Sequence, residues 1–310
     1  MAVITRASGY VNYSTGTSGF IPQIWSSKLA PKFYKTCVIA DISNTDYEGE
    51  IKGQGDTVKI RVRPNVAIND YEIGGTITYE KLNSTLIDLQ IEHAKTFAFQ
   101  IDDIDKYQSD IKELDSWSTD TSKGMAIEVD KEVLSSIYAD VAAANTGLTA
   151  GAESGGYILG TTAAPVTLTK YNILDWIIDC GAVLDEQNIP DDGRWFTLPV
   201  WASGMLKKSD LKNADLTGDD KSPIRNGMVG MIDRFKIYQT NLMHKGTGGD
   251  AGKFYPVFGH KSALTFAAQM KKMETLRIQN SFGEYVRGLN VFGFQVVNDT
   301  AIGSGVIVKG

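Results

Sequence analysis

The sequence predicts an α+β protein built on long strands and a small number of helices. Three observations carry that prediction. Val58, Ile60 and Val62 alternate with Lys59, Arg61 and Arg63, the period of a strand with one apolar and one basic face. Further on, Ile87, Leu89, Ile91, Phe97, Phe99 and Ile101 hold one parity, while Asp88, Gln90, Glu92, Thr96 and Gln100 hold the other. A helical pattern of about thirty-five residues follows, and the second half of the chain mixes shorter helices with strands.

Residues 1–20 are rich in Ser, Thr, Gly and Tyr and cannot fold alone, so this arm is either disordered or laid along another surface. Pro22 to Tyr34 reads as a short amphipathic helix with Ile24, Trp25, Leu29 and Phe33 as its stripe, ended or kinked by Pro31. Val38–Ile42 reads as a short strand. Glu50 to Asp56 is a turn signal that leads into the basic-faced strand. A Pro- and Gly-bearing tip, Pro64 to Gly75, is followed by Ile77 and Tyr79 on a return strand. The sixteen residues from Leu86 would extend roughly 53 Å as one strand at about 3.3 Å per residue. The long helix is expected from Ser109, a suitable N-cap, to Asn145-Thr146-Gly147. Ile111, Leu114, Trp117, Met125, Val129, Val133, Ile137 and Val141 form its stripe, and Gly124 is its weak point.

Gly147 to Pro165 is Gly-, Ala- and Thr-rich and marks the best boundary between two lobes. A helix from about Thr169 to Gln187, a strand at Arg194–Leu198 and a helix near Val200 to Lys208 follow. A polar loop then runs through Ser222, before a strand around Phe235–Tyr238. Gly246 to Gly252 reads as a flexible excursion, and the remainder as strands at Phe254–Phe258, Leu276–Ile278 and Val291–Val297.

Composition sets limits on function. An apolar share of 42% and a charged share of 22% over 310 residues are those of a globular protein large enough for two lobes. A formal net charge of −6 argues against strong sequence-independent binding of nucleic acid, although Lys59, Arg61 and Arg63 form a local basic strip. Two cysteines, Cys37 and Cys180, do not make a stapled secreted fold, and both read as small buried apolar residues. The N-terminus lacks the apolar run of a signal peptide, and no run reaches the ~20 residues of a membrane span. A cytoplasmic site of synthesis is expected.

A search for chemistry returns little. His93, His244 and His260 are isolated in sequence, with no metal-ligand spacing, and His93 on an apolar parity reads as a satisfied core or interface histidine. Asp102, Asp103 and Asp105 cluster where strand passes to helix, a pattern that suits a solvated helix start better than a catalytic group. Asp215, Asp219 and Asp220 lack the oxygen spacing of a calcium loop. No phosphate-binding glycine loop or nucleophile elbow occurs. No catalytic residue, metal or cofactor is assigned.

The order of features is similar to that of one family. A polar arm precedes the hairpin on Thr57-Val-Lys-Ile-Arg-Val-Arg63, and a long strand passes to a long helix through Phe97-Ala-Phe-Gln-Ile-Asp-Asp-Ile-Asp105. Asn188 to Pro199, Lys221 to Gly227, Gly259 to Leu264 and Ser281 to Leu289 follow in order. The chain thereby resembles the major capsid (coat) protein of tailed bacteriophages, with the Hong Kong 97-type capsid fold. That resemblance implies an N-terminal arm and first helix (1–46), a protruding hairpin or E-loop (47–82) and a peripheral domain with a long spine helix (83–165). It further implies an axial domain (166–260), peripheral return strands (261–292) and a terminal axial strand (293–310). It implies an icosahedral shell of pentameric and hexameric capsomers around double-stranded DNA, made in the host bacterial cytoplasm, with no membrane. A separate scaffolding protein and a portal are expected as partners, with weak non-specific contact to DNA. Some relatives crosslink a hairpin lysine to a neighbour's asparagine. Lys52 and Lys59 lie in the hairpin, but the accompanying motif has no match and the crosslink is not carried over.

Lys59, Arg61 and Arg63 are expected to dock on a neighbour's acidic surface, with Asp102, Asp103 and Asp105 as one candidate partner, against the alternative of a solvated strand face. A second class of function is a hydrolytic enzyme using paired carboxylates, Asp102 or Asp105 with Asp191 or Asp192. A third, a surface-binding module, requires a secretion route that the N-terminus does not show.

Overall fold

Two antiparallel strands near the C-terminus are the longest among the described residues. In the computed structural model these residues are 37–46, 57–62, 64, 66–76, 79–82, 84, 86–102, 113–209, 230–277 and 282–310. Strands β9 (Leu264–Arg277) and β10 (Gly283–Val296) run 14 residues each, and β3 (His93–Asp102) adds to the other edge of β10. The sequence signals only short strands here, because Gly283, Gly288 and Gly293 interrupt the β-branched pattern of β10. Two of these glycines are required by close approaches. A side chain at Gly288 would overlap the ring of Phe97, and one at Gly293 would overlap the Gln90 carbonyl.

The expected sixteen-residue strand is two strands, β2 (Leu86–Gln90) and β3, separated at Ile91–Glu92. The break lets β2 leave the sheet and pair antiparallel with β1 (Thr57–Arg61). β1 thus pairs with β2; of the expected return strand, Ile77 lies outside the described residues, and Tyr79 and Glu80 belong to no strand. Val58 pairs with Leu89 and Ile60 with Ile87 on the inner face of this ribbon. Its root packs on Ala267, Val291 and Val297.

Helix α2 (Glu113–Ser136) is uninterrupted at Gly124 and stops nine residues before Asn145. Ser135 and Ser136 donate to carbonyls of the last turn, and 3-10 turns at Ile137–Ala139 and Ala143–Asn145 follow. The expected N-cap Ser109 lies outside the described residues. The C-terminal part of the stripe forms: Val129, Val133 and Ile137 are buried with Phe292 and Leu264 in one core, whereas Trp117 is exposed and Ile111 lies outside the described residues.

Val38–Ile42 is helical rather than extended: α1 covers Ile39–Ile42. The spacing of Val38, Ile39 and Ile42 buries all three in the same core, which a strand could not do. The Asp130 carboxylate of α2 accepts from the amides of Val38 (2.5 Å) and Ile39 (3.4 Å), satisfying donors at the start of this turn.

The second half forms a five-stranded sheet in the order β11-β8-β5-β7-β6. Its members are β5 (Arg194–Leu198), β6 (Met231–Ile232), β7 (Phe235–Gln239), β8 (Val257–His260) and β11 (Ile302–Ser304). Helices α3 (Ile173–Glu186) and α4 (Val200–Leu206) bury apolar residues in the core that contains Phe196 of β5. Short strands β4 (Val166–Leu168) and β12 (Ile307–Lys309) pair in parallel beside it. The Gly246–Gly252 excursion is an ordered turn, closed by the Gly246 amide donating to Lys253 and by Lys253 Nζ bonding Asp250 and the Thr162 carbonyl. The helix expected at 22–34 and the polar loop at 210–222 lie outside the described residues.

Candidate assembly surface

The described residues between Arg61 and Leu86 are all exposed. Ile68 is 97% exposed, Ile73 is 101% and Tyr79 is 94%, with Val66 and Tyr71 largely exposed beside them. Two local hydrogen bonds shape the described part: the Gly75 amide to the Glu72 carbonyl (2.9 Å), and the Ala67 amide to Glu80 Oε2 (3.3 Å). Fully burying one large apolar side chain is worth roughly 1.5–3 kcal/mol, so several uncovered together favour association. The sequence signal for this surface is Val66, Ile68 and Ile73 inside a turn-rich stretch without strand alternation.

A second uncovered apolar surface lies between α2 and β3. Phe97, Phe99, Trp117, Gly124 and Met125 line a groove of about 640 Å³, with Lys95, Asp120 and Glu128 among its polar members. Phe99 meets Trp117 edge-on at 6.1 Å and stacks on Phe97 at 6.2 Å. The groove continues past Phe97 and Met125 into a space of about 350 Å³ lined by Ala126, Met273, Gly288 and Asn290.

The helix is fastened to the sheet at the other end of this groove. His93 lies 2.7 Å from Glu132 and stacks on Phe292 and Phe294, while Lys95 lies 2.5 Å from the second Glu132 oxygen. His93 is thus a satisfied interface histidine. Burial pushes the Glu132 carboxyl up, but Lys95 and His93 outweigh it and leave the group below the usual carboxylate range. Burial pushes Asp130 the other way, above its ordinary value, despite the two amides it accepts from. Cys180 is buried as expected, whereas Cys37 is exposed and free. Desolvation together with Asp130 pushes the Cys37 thiol up to about 11, which leaves it protonated at neutral pH.

The charged residues read from the sequence fall apart in space. Lys59 and Arg61 are exposed on the outer face of the β1–β2 ribbon, and Lys59 stands opposite Asp88 of the same chain. Asp102 is exposed at the end of β3, where it accepts from Gln100 at 3.3 Å. Arg63, Asp103 and Asp105 lie outside the described residues. Asp191 is held by Arg234 (2.7 Å) and Arg194 (3.2 Å) beside the five-stranded sheet. It shares a cavity with Asp192 and Lys261, and Asp102 is not part of that cavity. Asp102 and Asp191 therefore do not form an acid–base pair. Arg194, unassigned from sequence, is fully buried and donates to the carbonyls of Gly181, Ile189 and Pro190 while pairing with Asp185. Among the described residues no cluster of three or more His, Cys, Asp or Glu could hold a metal ion, and no helix is long and apolar enough to cross a membrane.

No protein-family model matches the sequence, and no curated protein does. Solved structures match along its whole length. A structure from Mycobacterium phage Che8 aligns at a TM-score of 0.72 with 26% identity, covering 93% of this chain and 97% of that one. The capsid structure of cyanophage P-SCSP1u aligns at 0.71 with 15% identity, over 99% of both chains. The fold is that of phage capsid subunits. The capsid of a native GTA particle shares it at a TM-score of 0.67 and 13% identity, over 97% of this chain and 100% of that one. The α+β class and the capsid resemblance read from the sequence agree with these structures.

Proposed function

We propose that this chain is a phage major capsid protein that self-assembles into an icosahedral shell enclosing double-stranded DNA, without catalysis. The observation that carries this reading is the fold match to phage capsid structures over nearly the full length of both chains. In this reading α2 is the spine helix of a peripheral domain, and the connection between β1 and β2 is the E-loop that reaches a neighbouring subunit. The axial domain comprises 166–260 with the terminal strand. Helices α3 and α4 and the core around Phe196 and Ile177 lie mostly within that range, although Trp195, Leu242 and Val257 join the core around Val133 and Phe292. Copies meet as pentameric and hexameric capsomers through head-to-tail contacts whose rotations close. A scaffolding protein, a portal and weak contact with packaged DNA complete the set of partners, and the host cytoplasm is the site of synthesis.

The test is negative-stain electron microscopy of the concentrated protein, with and without a scaffolding partner. Closed shells or ring-shaped capsomers are expected, and a strictly monomeric species in both conditions would sink the proposal. The outer charges Lys59 and Arg61, with Arg63, serve in this reading as a docking strip for a neighbour. Arg61→Glu with Arg63→Glu should leave the subunit folded and impair assembly. Normal particles from that variant would remove the strip from the contact.

A further inference from the structure

We infer that the cavity between α1 and the β5–β7–β6 end of the five-stranded sheet binds a small zwitterion of the α-amino-acid class. Such a ligand carries a carboxylate, an ammonium group and an apolar side chain. This binding is separate from self-assembly and does not depend on it.

The cavity holds about 340 Å³, at the lower end of the range of ligand clefts. One wall is a closed square of charge. Arg194 pairs with Asp185 (2.7 Å) and Asp191 (3.2 Å), and Arg234 pairs with the same two carboxylates (2.6 and 2.7 Å). The Asp233-Arg234 turn joins β6 to β7 with both residues left-handed, at φ 43° and 66°, where glycine and asparagine are the usual occupants. An arginine thus stands at a backbone position that opposes it, and its guanidinium fastens the wall. These four groups answer one another. Other groups at the cavity do not. Lys236 and Lys261, with Asp41 of α1 and Asp192, line the same space and form no ion pair among the described residues. The Lys236 ammonium rests over the Tyr238 ring, 5.0 Å from its centre. Trp195 also lines the cavity, and its buried indole N–H has no acceptor.

The presence of both signs decides the ligand class. Asp41, Asp191 and Asp192 repel a polyphosphate or a nucleic-acid backbone, and the two lysine ammonium groups repel a bare cation. Among the described residues no cluster of three His, Cys, Asp or Glu could hold a metal ion. A ligand of one sign would pair half of the open groups and be repelled by the rest. A zwitterion can set its carboxylate against Lys236 and Lys261 and its ammonium against Asp41 or Asp192. Charge-assisted hydrogen bonds of this kind are roughly twice as strong as neutral ones. Trp195, Met231 and Tyr238 supply apolar lining for the side chain, and Met231 is 70% exposed without it. The ligand would also bridge two parts of the fold. Asp41 belongs to α1, whose first amides are held by Asp130 of α2, whereas Lys236 and Trp195 belong to the sheet. Binding should therefore stabilise the folded subunit.

The experiment titrates L-leucine into the full chain by isothermal calorimetry, beside two analogues that each lack one charge. These are 4-methylpentanoate, without the ammonium, and 3-methylbutylamine, without the carboxylate. Leucine should bind saturably with a dissociation constant of about 1 mM or tighter, at least tenfold tighter than either analogue. Lys261→Gln and Asp192→Asn alter exposed side chains. Each should weaken leucine at least tenfold and leave the urea denaturation curve in place. No saturable heat from leucine, an analogue that binds as well, or unchanged affinity in either variant would overturn the inference. If a variant shifts the denaturation curve, the analogue series on the unaltered chain decides by itself. Binding is measured on the chain in whatever state of assembly it takes. Failure here therefore leaves the capsid reading standing, and a chain that never assembles leaves this test in force.

Discussion

In the five-stranded sheet every residue of β5 is buried, whereas in the three-stranded sheet alternate residues of β3 face solvent. Phe196 shows what the first arrangement achieves. It stacks on Phe258 at 5.4 Å and meets Trp176 and Phe235 edge-on at 5.7 and 5.4 Å, with helices closing the layer. Phe97, midway along the edge strand β3 of the other sheet, instead covers the bare backbone of Gly288 and borders an open trough. One half of the molecule completes its packing within the chain. The other leaves apolar side chains such as Ile68, Ile73 and Trp117 uncovered.

The largest effect should come from the closed half. Phe196→Ala removes a fully buried ring from three aromatic contacts and should cost about 3–5 kcal/mol in chemical denaturation of the subunit. A loss under about 1 kcal/mol would mean that this layer is not the stabilising core. In the open half, Gly288→Ala meets the end of a side chain, and Phe97 can swing into the trough. The expected loss is about 1 kcal/mol in chemical denaturation of the subunit. An unchanged denaturation curve would mean that Phe97 gives way without cost.

The two halves were also unequally readable in the sequence. Helix α3, β5 and β7 carry strong periodicity with turn residues between them, and each forms within a few residues of its expected limits. The two 14-residue strands were read as fragments. In β10 the glycines serve close approaches by Phe97 and Gln90, a tertiary reason that no local pattern carries. Val38–Ile42 was misread because its helical turn depends on Asp130, some ninety residues away. The candidate surface was half legible: the basic strand stood out by alternation, while Ile68 and Ile73 acquire meaning only once they are seen to have no cover.

Acid should test the joint between helix and sheet. Glu132 has its folded pKa depressed, so its contribution is present above the ordinary value of 4.5 and is lost as pH falls through the folded value. Asp130 has its folded pKa raised, so the folded state takes up a proton more readily than the unfolded chain does, and falling pH favours folding at that site. Two carboxylates on one helix thus act in opposite directions. Glu132→Gln should flatten the acid loss by up to about 1 kcal/mol after allowance for solvent screening, and Asp130→Asn should steepen it. Thermal unfolding between about pH 3 and 6 measures both, and parallel curves for the two variants would contradict these assignments.

The smallest effect on the subunit should come from the most exposed residues. Ile68→Ser with Ile73→Ser changes two side chains that are 97% and 101% exposed, so subunit stability should stay within about 0.5 kcal/mol of the parent. Assembly should respond in the opposite sense. Both side chains are apolar groups that water now surrounds, and each would return roughly 1.5–3 kcal/mol if a neighbour fully covered it. In the capsid reading, losing that gain at every copy in a closed shell multiplies its effect. Light scattering against concentration should therefore show the assembly threshold rising at least tenfold while the denaturation curve stays in place. An unchanged threshold would return the excursion to the status of a solvated loop. A shifted denaturation curve would mean that the excursion packs on its own chain, and the contrast between a closed half and an open half would no longer hold.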